Sequence, residues 1–370
     1  MNAFTREDLK RFQAESLDQK EQRSLAKIAE WFSYWNNAVY VAFSGGKDSS
    51  VLADLCGFWC SIIKATLYLC FVNTGLEYPE IQKHVRLFAE YLRNKYDIEV
   101  VLDIIRPEMR FDEVIKTYGY PIISKDVSQA VYDARTQARK EGIDVRQTRL
   151  YNRGFNHESD YCKKYPSYCR AKYDSLFDMQ FGVSHKCCDV MKKKPAKQYE
   201  KETGRKPILA TMTSESRLRQ TKWIQYGCNA FDSKRPNSAP MSFWTEQDVL
   251  QYIKDAQLPI ASVYGDIVYA EDPDQMRIED YGIDCGSKEK LRTTGCTRTG
   301  CIFCAFGCHL DKETSQFQKL KETHPKQYKY CMEGGEYNEY GIWQPNKQGL
   351  GMRHVFDELN KIYGDGFIKY

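Results

Sequence analysis

The stretch VYVAFSGGKDSSVLADL, residues 39–55, limits what this chain can fold into more than any other. Val39, Tyr40, Val41 and Phe43 make an apolar run of strand length. Behind Ser49, the apolar residues Val51, Leu52 and Leu55 fall at helical spacing. A strand joined to a helix by so tight a glycine turn leaves several backbone N–H groups pointing the same way at the positive end of the helix dipole. Such a turn is an anion site. Gly45 and Gly46 let backbone approach a phosphate, and Lys47 supplies a point charge. The spacing differs from the P-loop of ordinary ATPases, in which Gly and four residues precede Gly-Lys-Ser/Thr. The loop is therefore shorter and of another kind. A plain turn without a ligand is the competing reading, and the choice rests on the rest of the chain.

That chain repeats the strand–helix theme. Residues 5–37 read as helical, TLYLCFVNTG as a strand, Pro79 to Lys95 as a helix, and IEVVLDIIRP and PILATM as further strands. Strands alternating with helices predict an α/β fold with a parallel twisted sheet and helices on both faces. Ligands of such sheets bind outside the carboxyl ends of the strands, where Ser44, Asn73, Asp103 and Thr211 all fall. The expected organisation is an N-terminal helical segment (1–35), a nucleotide-binding α/β domain (36–270) with a helical insertion at about 125–186, and a cysteine-rich C-terminal region (271–370). Acidic loops are expected after about Tyr269.

Apolar runs such as LYLCFV are far too short to span a bilayer, and the charged, amphipathic start lacks the core of a signal peptide. The chain reads as cytoplasmic, with no membrane partner. Fourteen cysteines in that setting argue against a disulfide framework and for metal or thiol chemistry. The net charge of +4 is unevenly spread, since Arg135 to Lys206 carries 18 Lys and Arg against 9 Asp and Glu. This stretch suits a polyanion such as nucleic acid. Its tyrosines alternate with basic groups in YNRGFNHESDYCKKYPSYCRAKY, as a stacking surface would. The alternative is a solvated helical insertion whose tyrosines pack on the core.

SGGKDS, residues 44–49, resembles the PP-loop of the N-type ATP pyrophosphatases, a family of adenine nucleotide alpha hydrolase-like fold. Further stretches are similar to the phosphoadenylyl-sulfate reductase family. FVNTGLEYPE (71–80) resembles its Asp-Thr-Gly strand end, with Asn73 in the aspartate position. TMTSESRLRQTKW (211–223) resembles its Glu-Ser-x-x-Arg segment, and FWTEQDVLQYIKDAQLPIASVYGD (243–266) its Trp-Thr, Asp-Val, Leu-Pro signature. The resemblance implies ATP or adenylyl sulfate bound across the strand ends and cut at the α-phosphate. Ser44, Gly45, Gly46, Lys47, Asp48 and Ser49 would cradle the phosphates, with Asp48 holding Mg2+. Asn73 and Thr74 would lie near ribose or adenine. Arg217 and Arg219 would neutralise the leaving group, with Glu215 orienting one of them. Lys47, Asp48, Arg217 and Arg219 are the expected catalytic set.

HKCCDVMKKKP (185–195) resembles the Cys-Cys-x-x-x-Lys segment of cluster-bearing adenylyl-sulfate reductases, and TGCTRTGCIFCAFGCH (294–309) supplies a C-x-x-C. Their pattern implies a 4Fe–4S cluster on Cys187, Cys188, Cys301 and Cys304. A related pattern, in the ATPase component of DNA phosphorothioation systems, implies Cys187 with Cys296, Cys301 and Cys304. All five are candidates, Lys192 to Lys194 would supply nearby positive charge, and zinc would accept the same thiolates. Cys56, Cys60 and Cys70 lie in apolar runs and read as core.

One departure matters. The reductases carry a nucleophilic cysteine in a C-terminal Glu-Cys-Gly-x-His tail, whereas this chain ends KIYGDGFIKY and its last cysteine is Cys331. The leading expectation is therefore an adenylating enzyme with cluster-assisted sulfur transfer, possible acceptors including nucleic acid through residues 135–206, and a sulfur-donor protein as partner. The alternatives are a sulfonucleotide reductase using an atypical thiol such as Cys308, and a catalytically silent nucleic-acid-binding or regulatory module.

Overall fold

A computed structural model describes residues 4–270, 290–311 and 313–370, so the acidic loops expected beyond Tyr269 fall outside the described residues. The chain forms two compact units. One gathers Met1–Asn73, Glu77–Ile105 and Ala196–Thr299; the other gathers Thr74–Leu76, Arg106–Pro195 and Gly300–Tyr370.

In chain order the first strands are β1 (Val39–Ala42), β2 (Leu67–Val72), β3 (Val100–Ile105), β4 (Ile122–Ile123), β5 (Lys206–Ile208), β6 (Asn229–Ala230) and β7 (Asn237–Ser238). All but β4 build the sheet of the first unit, in the order β3-β2-β1-β5-β7-β6. Its pairs are parallel except β6 with β7. Val41 of β1 lies opposite Leu69 on one side and Ile208 on the other. Strand order reverses between β1 and β5, which makes their carboxyl ends the switch point where α/β sheets bind ligands. The α/β expectation holds, and β1 is buried as its residues require: Val39, Tyr40 and Val41 are all core.

Helices α1 (Arg6–Gln13) and α2 (Leu17–Tyr34) each start on a capping box, at Thr5 and Ser16. The N-terminal segment is an integral part of this unit. Buried Lys20 pairs with Asp248 at 2.7 Å, and the Ser24 hydroxyl links the Trp244 indole (2.9 Å) to the Pro240 carbonyl (3.0 Å). Helix α3 (Lys47–Ile63) packs on β1 and β2, and α4 (Pro79–Tyr96) packs on β3. Cys56, Cys60 and Cys70 are buried, as read from their apolar runs, and burial raises each thiol.

In the second unit β4 pairs in parallel with Ala305–Phe306. Tyr120 bridges to Val183 and Phe181 to Trp343, and the Tyr120 hydroxyl donates to the Leu350 carbonyl at 2.7 Å. Gly119 is required there, because a Cβ would meet the Gly182 backbone at 2.3 Å. The stretch 125–186 is mainly helical, with helices Lys125–Glu141, Arg149–Gly154 and Asp160–Lys164. It shares one unit with the C-terminal seventy residues. Cys162 and Cys169 form a disulfide seven residues apart. One local bridge is not a disulfide framework, and eleven other described cysteines are free.

Candidate active site

Ser44 to Ser49 leave β1 and enter α3 as a self-bonded loop. The Ser44 N–H donates to Ser49 Oγ (3.2 Å), the Gly46 N–H to Ser44 Oγ (3.3 Å), and Ser49 Oγ to the Gly46 carbonyl (2.9 Å). Gly45 sits at φ +73°, and a Cβ on it would strike Val85 and Ile81 at 2.6 and 2.9 Å. Both its conformation and the close approach of α4 demand glycine. Gly46 caps α3 without a side-chain bond, so the helix end keeps its donors for an external acceptor. At present the Lys47 N–H donates to the Tyr264 hydroxyl at 3.1 Å.

The Lys47 ammonium is buried, 3.1 Å from the Thr297 carbonyl, 3.2 Å from Glu246 Oε1 and 3.5 Å from Asp48 Oδ1. Burial pulls its pKa down, but Asp48, Tyr264 and Glu246 together outweigh that and raise it. Lys47 is thus firmly cationic. Burial raises the Asp48 carboxyl, against the pull of Lys47 and Arg298. Asp48 Oδ1 is buried with no hydrogen bond among the described residues. Its nearest cation is Lys47 at 3.5 Å, longer than a usual hydrogen bond, so this hard oxygen keeps lone pairs that fit the chemistry of Mg2+.

Arg219 ion-pairs with Glu215. Its pKa is lowered, by burial first and then by Arg298, while Asp48 pulls the other way. Arg219, Arg298 and Asp48 therefore share one electrostatic neighbourhood. Arg217, at the start of the helix Arg217–Tyr226, is exposed. Asn73 follows β2, and its N–H donates to the Ile105 carbonyl at 2.8 Å. Thr74 belongs to the second unit, where its hydroxyl accepts the Leu76 N–H. Asp103 accepts from the Tyr199 hydroxyl at 2.6 Å. Sequence reasoning missed Tyr264, Glu246 and Arg298. The first two lie inside the quoted 243–266 signature. Arg298 sits between Cys296 and Cys301, in a segment read only for its thiols.

In the second unit the Cys187 and Cys188 thiols are hydrogen-bonded to each other, and Cys187 also feels Cys304 and Cys301. That bond draws Cys188 down to about 5 against burial, with Lys125 and Lys192 adding to the fall, and Cys187 is raised. Lys193 and Lys194 are turned to Asp189 and Glu108; Lys125 was not foreseen. Cys301 and Cys304 lie on one turn, closed by the Cys304 N–H on the Cys301 carbonyl at 3.0 Å. Gln316 braces it, donating to the carbonyls of Cys301 (3.1 Å) and Ile302 (2.9 Å). Cys296 lies in the first unit, bonded to the Tyr78 hydroxyl. Among the described residues, no group of three or more His, Cys, Asp or Glu side chains is placed to hold a metal ion as it stands. In chemistry alone, Cys187, Cys188, Cys301 and Cys304 are the donors a thiolate-bound centre would use.

The basic stretch divides between the two readings given above. Tyr165 and Tyr168 are exposed, and Lys164 lies over the Tyr165 ring at 5.4 Å. Tyr173 is core, and the Tyr151 hydroxyl donates to Asp174 at 2.6 Å. Much of the positive charge is answered internally. Arg146 holds Asp174 and Asp178, Arg170 holds Asp126, and buried Arg135 donates to the carbonyls of Phe181 and Leu176.

Residues 156–306 match the family model of the phosphoadenosine phosphosulfate reductase domain. This stretch of the chain is similar to that domain. The matched stretch contains Glu215, Arg219, Arg298 and all five candidate cysteines but begins after the PP-loop, which stands on its own geometry. Two uncharacterized proteins of Methanocaldococcus jannaschii are similar to this chain. One is 28% identical over 169 residues, 45% of this chain and 36% of its own length. The other is 32% identical over 105 residues, 28% of this chain and 20% of its own. The chain thus spans about a third or less of these relatives. No helix among the described residues is long and apolar enough to cross a membrane.

Proposed function

We propose that the protein binds ATP at Ser44–Ser49, cuts it between the α- and β-phosphates, and transfers the adenylyl group to an acceptor, from which a sulfur nucleophile carried by a donor protein then displaces AMP. The observation that carries this reading is buried Lys47 at the N-terminus of α3, 3.5 Å from the Asp48 carboxylate. In the adenylation step an acceptor oxygen bonds to the α-phosphorus while the bond to the bridging oxygen breaks, and pyrophosphate leaves with that electron pair. Lys47 and the α3 N–H groups would hold the phosphates, and Arg219 with Arg298 would take up charge on the leaving pyrophosphate. Mg2+ on Asp48 would supply further charge neutralisation. Cys187, Cys188, Cys301 and Cys304, with Cys296 as the alternative fourth ligand, would hold a 4Fe–4S cluster, which would supply a sulfur or electron site.

The competing reductase needs an accessible nucleophilic thiol. Cys308 is buried, raised to about 12, with its thiol on the Ala305 carbonyl at 3.1 Å. Cys331 is fully buried and raised by that burial. Neither is placed for attack, and the half-buried Cys188, drawn down to about 5, is the thiol that the reductase reading would use. Pyrophosphate release from ATP, measured beside sulfite release from adenylyl sulfate, tests the choice. Sulfite without pyrophosphate would overturn it. An anaerobic preparation should contain iron and sulfide; zinc alone would remove the sulfur chemistry.

A further inference from the structure

A cavity of about 530 Å³ lies in the first unit beyond the carboxyl ends of β5 and β7, and no residue of the PP-loop lines it. Its volume suits a ligand of nucleotide size. Arg219, Lys222, Lys234 and Arg235 line it, and no carboxylate does. Arg219 and Arg235 have partners outside the lining, in Glu215 and Glu200. Lys222 and Lys234 have no carboxylate partner among the described residues, so the cavity keeps two uncompensated cations. Four like charges around one hollow repel each other unless an anion is meant to enter.

Two further features give this hollow a built floor. Trp223 is 2% exposed, and its indole is bonded to the Cys228 thiol, which also lines the cavity. One face of that indole is fixed by Phe4, stacked at 4.8 Å. Tyr226, one helical turn on and partly exposed, adds a second ring to the wall. Cations with aromatic rings match a phosphate ester that carries a ring. Arg219 also sits in the neighbourhood of Asp48 and Arg298, so it touches both this cavity and the nucleotide site.

We propose that this cavity is a second anion-binding site, separate from the PP-loop, which takes a phosphate group of the acceptor. The assignment of an acceptor rests on the adenylation reading above; the anion site itself does not. The phosphate has two sources, a free nucleotide or the backbone of a single strand, and the probes separate them.

Binding of AMP and of an unphosphorylated ten-nucleotide single strand is measured on Lys47→Ala protein, where the PP-loop cannot compete. The same titrations are run after adding Lys222→Ala and Lys234→Ala together. Both lysines are exposed, so the fold should survive. At least one probe should bind, and the double substitution should weaken it about tenfold, each exposed and solvent-screened cation contributing about threefold. A charge-matched control, Lys319→Ala with Lys326→Ala, should leave binding unchanged. AMP alone responding assigns a free nucleotide, and the strand responding assigns nucleic acid. Failure of both probes to bind overturns the site, as does equal weakening by the control or no weakening by Lys222→Ala/Lys234→Ala. Because the Lys47→Ala background is already silent at the PP-loop, a failed adenylation assay on the unmodified protein leaves this result standing.

Discussion

Around Lys47 in the first unit, opposite charges are already interleaved: the ammonium faces Glu246, Asp48 and the Thr297 carbonyl. Around Cys187 in the second unit, four thiols mainly face one another, with Lys125 and Lys192 as the nearby cations. The first arrangement is stable without a ligand and waits for one. The second gathers acidic groups that would repel as thiolates, and it is relieved only by keeping protons or by taking up a metal. Preorganised charge suits phosphate; gathered thiols suit a cluster. The two should therefore fail differently when disturbed.

The sharpest break is Cys301→Ser. It should remove the iron and sulfide altogether, bleaching the anaerobic protein, while binding of a non-hydrolysable ATP analogue stays within about threefold. Retained iron would refute the ligand assignment. The reciprocal change, Lys47→Ala, should leave iron untouched and reduce pyrophosphate release on the order of 1,000-fold, about 4 kcal/mol for two charge-assisted contacts. Unchanged release and unchanged analogue binding would remove ATP from the loop.

The same contrast explains what was legible in the sequence. The PP-loop was, because Gly45, Gly46 and Lys47 act through backbone geometry that neighbouring residues determine. The cysteine pairs were legible as pairs, for one turn sets the spacing of Cys301 and Cys304. What sequence could not supply was convergence from a distance. Arg298 reaches Asp48 and Arg219 from 250 positions beyond the loop, and Tyr264 reaches the Lys47 N–H from 217 positions away. Nothing local marks either residue. The strand PILATM was seen, but it is shorter than its apolar run, ending at Ile208, because the chain must then turn toward Thr211. The sharing of one unit by 106–195 and 300–370 was not legible, since it depends on single bridges such as Phe181 to Trp343.

A third prediction tests whether the scaffold behind the loop, rather than the loop itself, responds to pH. His84 on α4 is buried against Ser50 of α3 at 3.1 Å, and burial lowers its pKa to about 4. The folded state then binds fewer protons than the unfolded state between about pH 4 and the ordinary histidine value near 6.5. Stability is fully present above about 6.5 and falls as pH drops toward 4, by about 3 kcal/mol. In denaturant titrations His84→Gln should flatten this slope. A slope equal to that of the unmodified protein would show that other groups carry it.

Arg298→Ala comes next in size. The segment Thr297–Thr299 touches the loop at both ends, through the Thr297 carbonyl on Lys47 and the Thr299 hydroxyl on Tyr264. Removing the guanidinium between them should lower pyrophosphate release about tenfold, near 1.4 kcal/mol, with iron content unchanged. Loss of iron in this variant would instead assign Arg298 to the cysteine region.

Tyr264→Phe is the smallest effect and the one whose sign is most informative. The Tyr264 hydroxyl accepts the Lys47 N–H and is bonded to Thr299 Oγ1 at 2.6 Å. It therefore occupies the acceptor position that a phosphate oxygen would take at the helix end. Removing it leaves the Lys47 N–H unsatisfied in the ligand-free protein, which should cost about 1 kcal/mol of stability. A bound phosphate would restore that bond, so the same loss should reappear as nucleotide affinity raised about fivefold. Stability and affinity should move in opposite directions, measured by thermal unfolding and by titration with the ATP analogue. If affinity falls with stability, the hydroxyl helps hold the nucleotide, and the Lys47 N–H is not the donor that a phosphate claims.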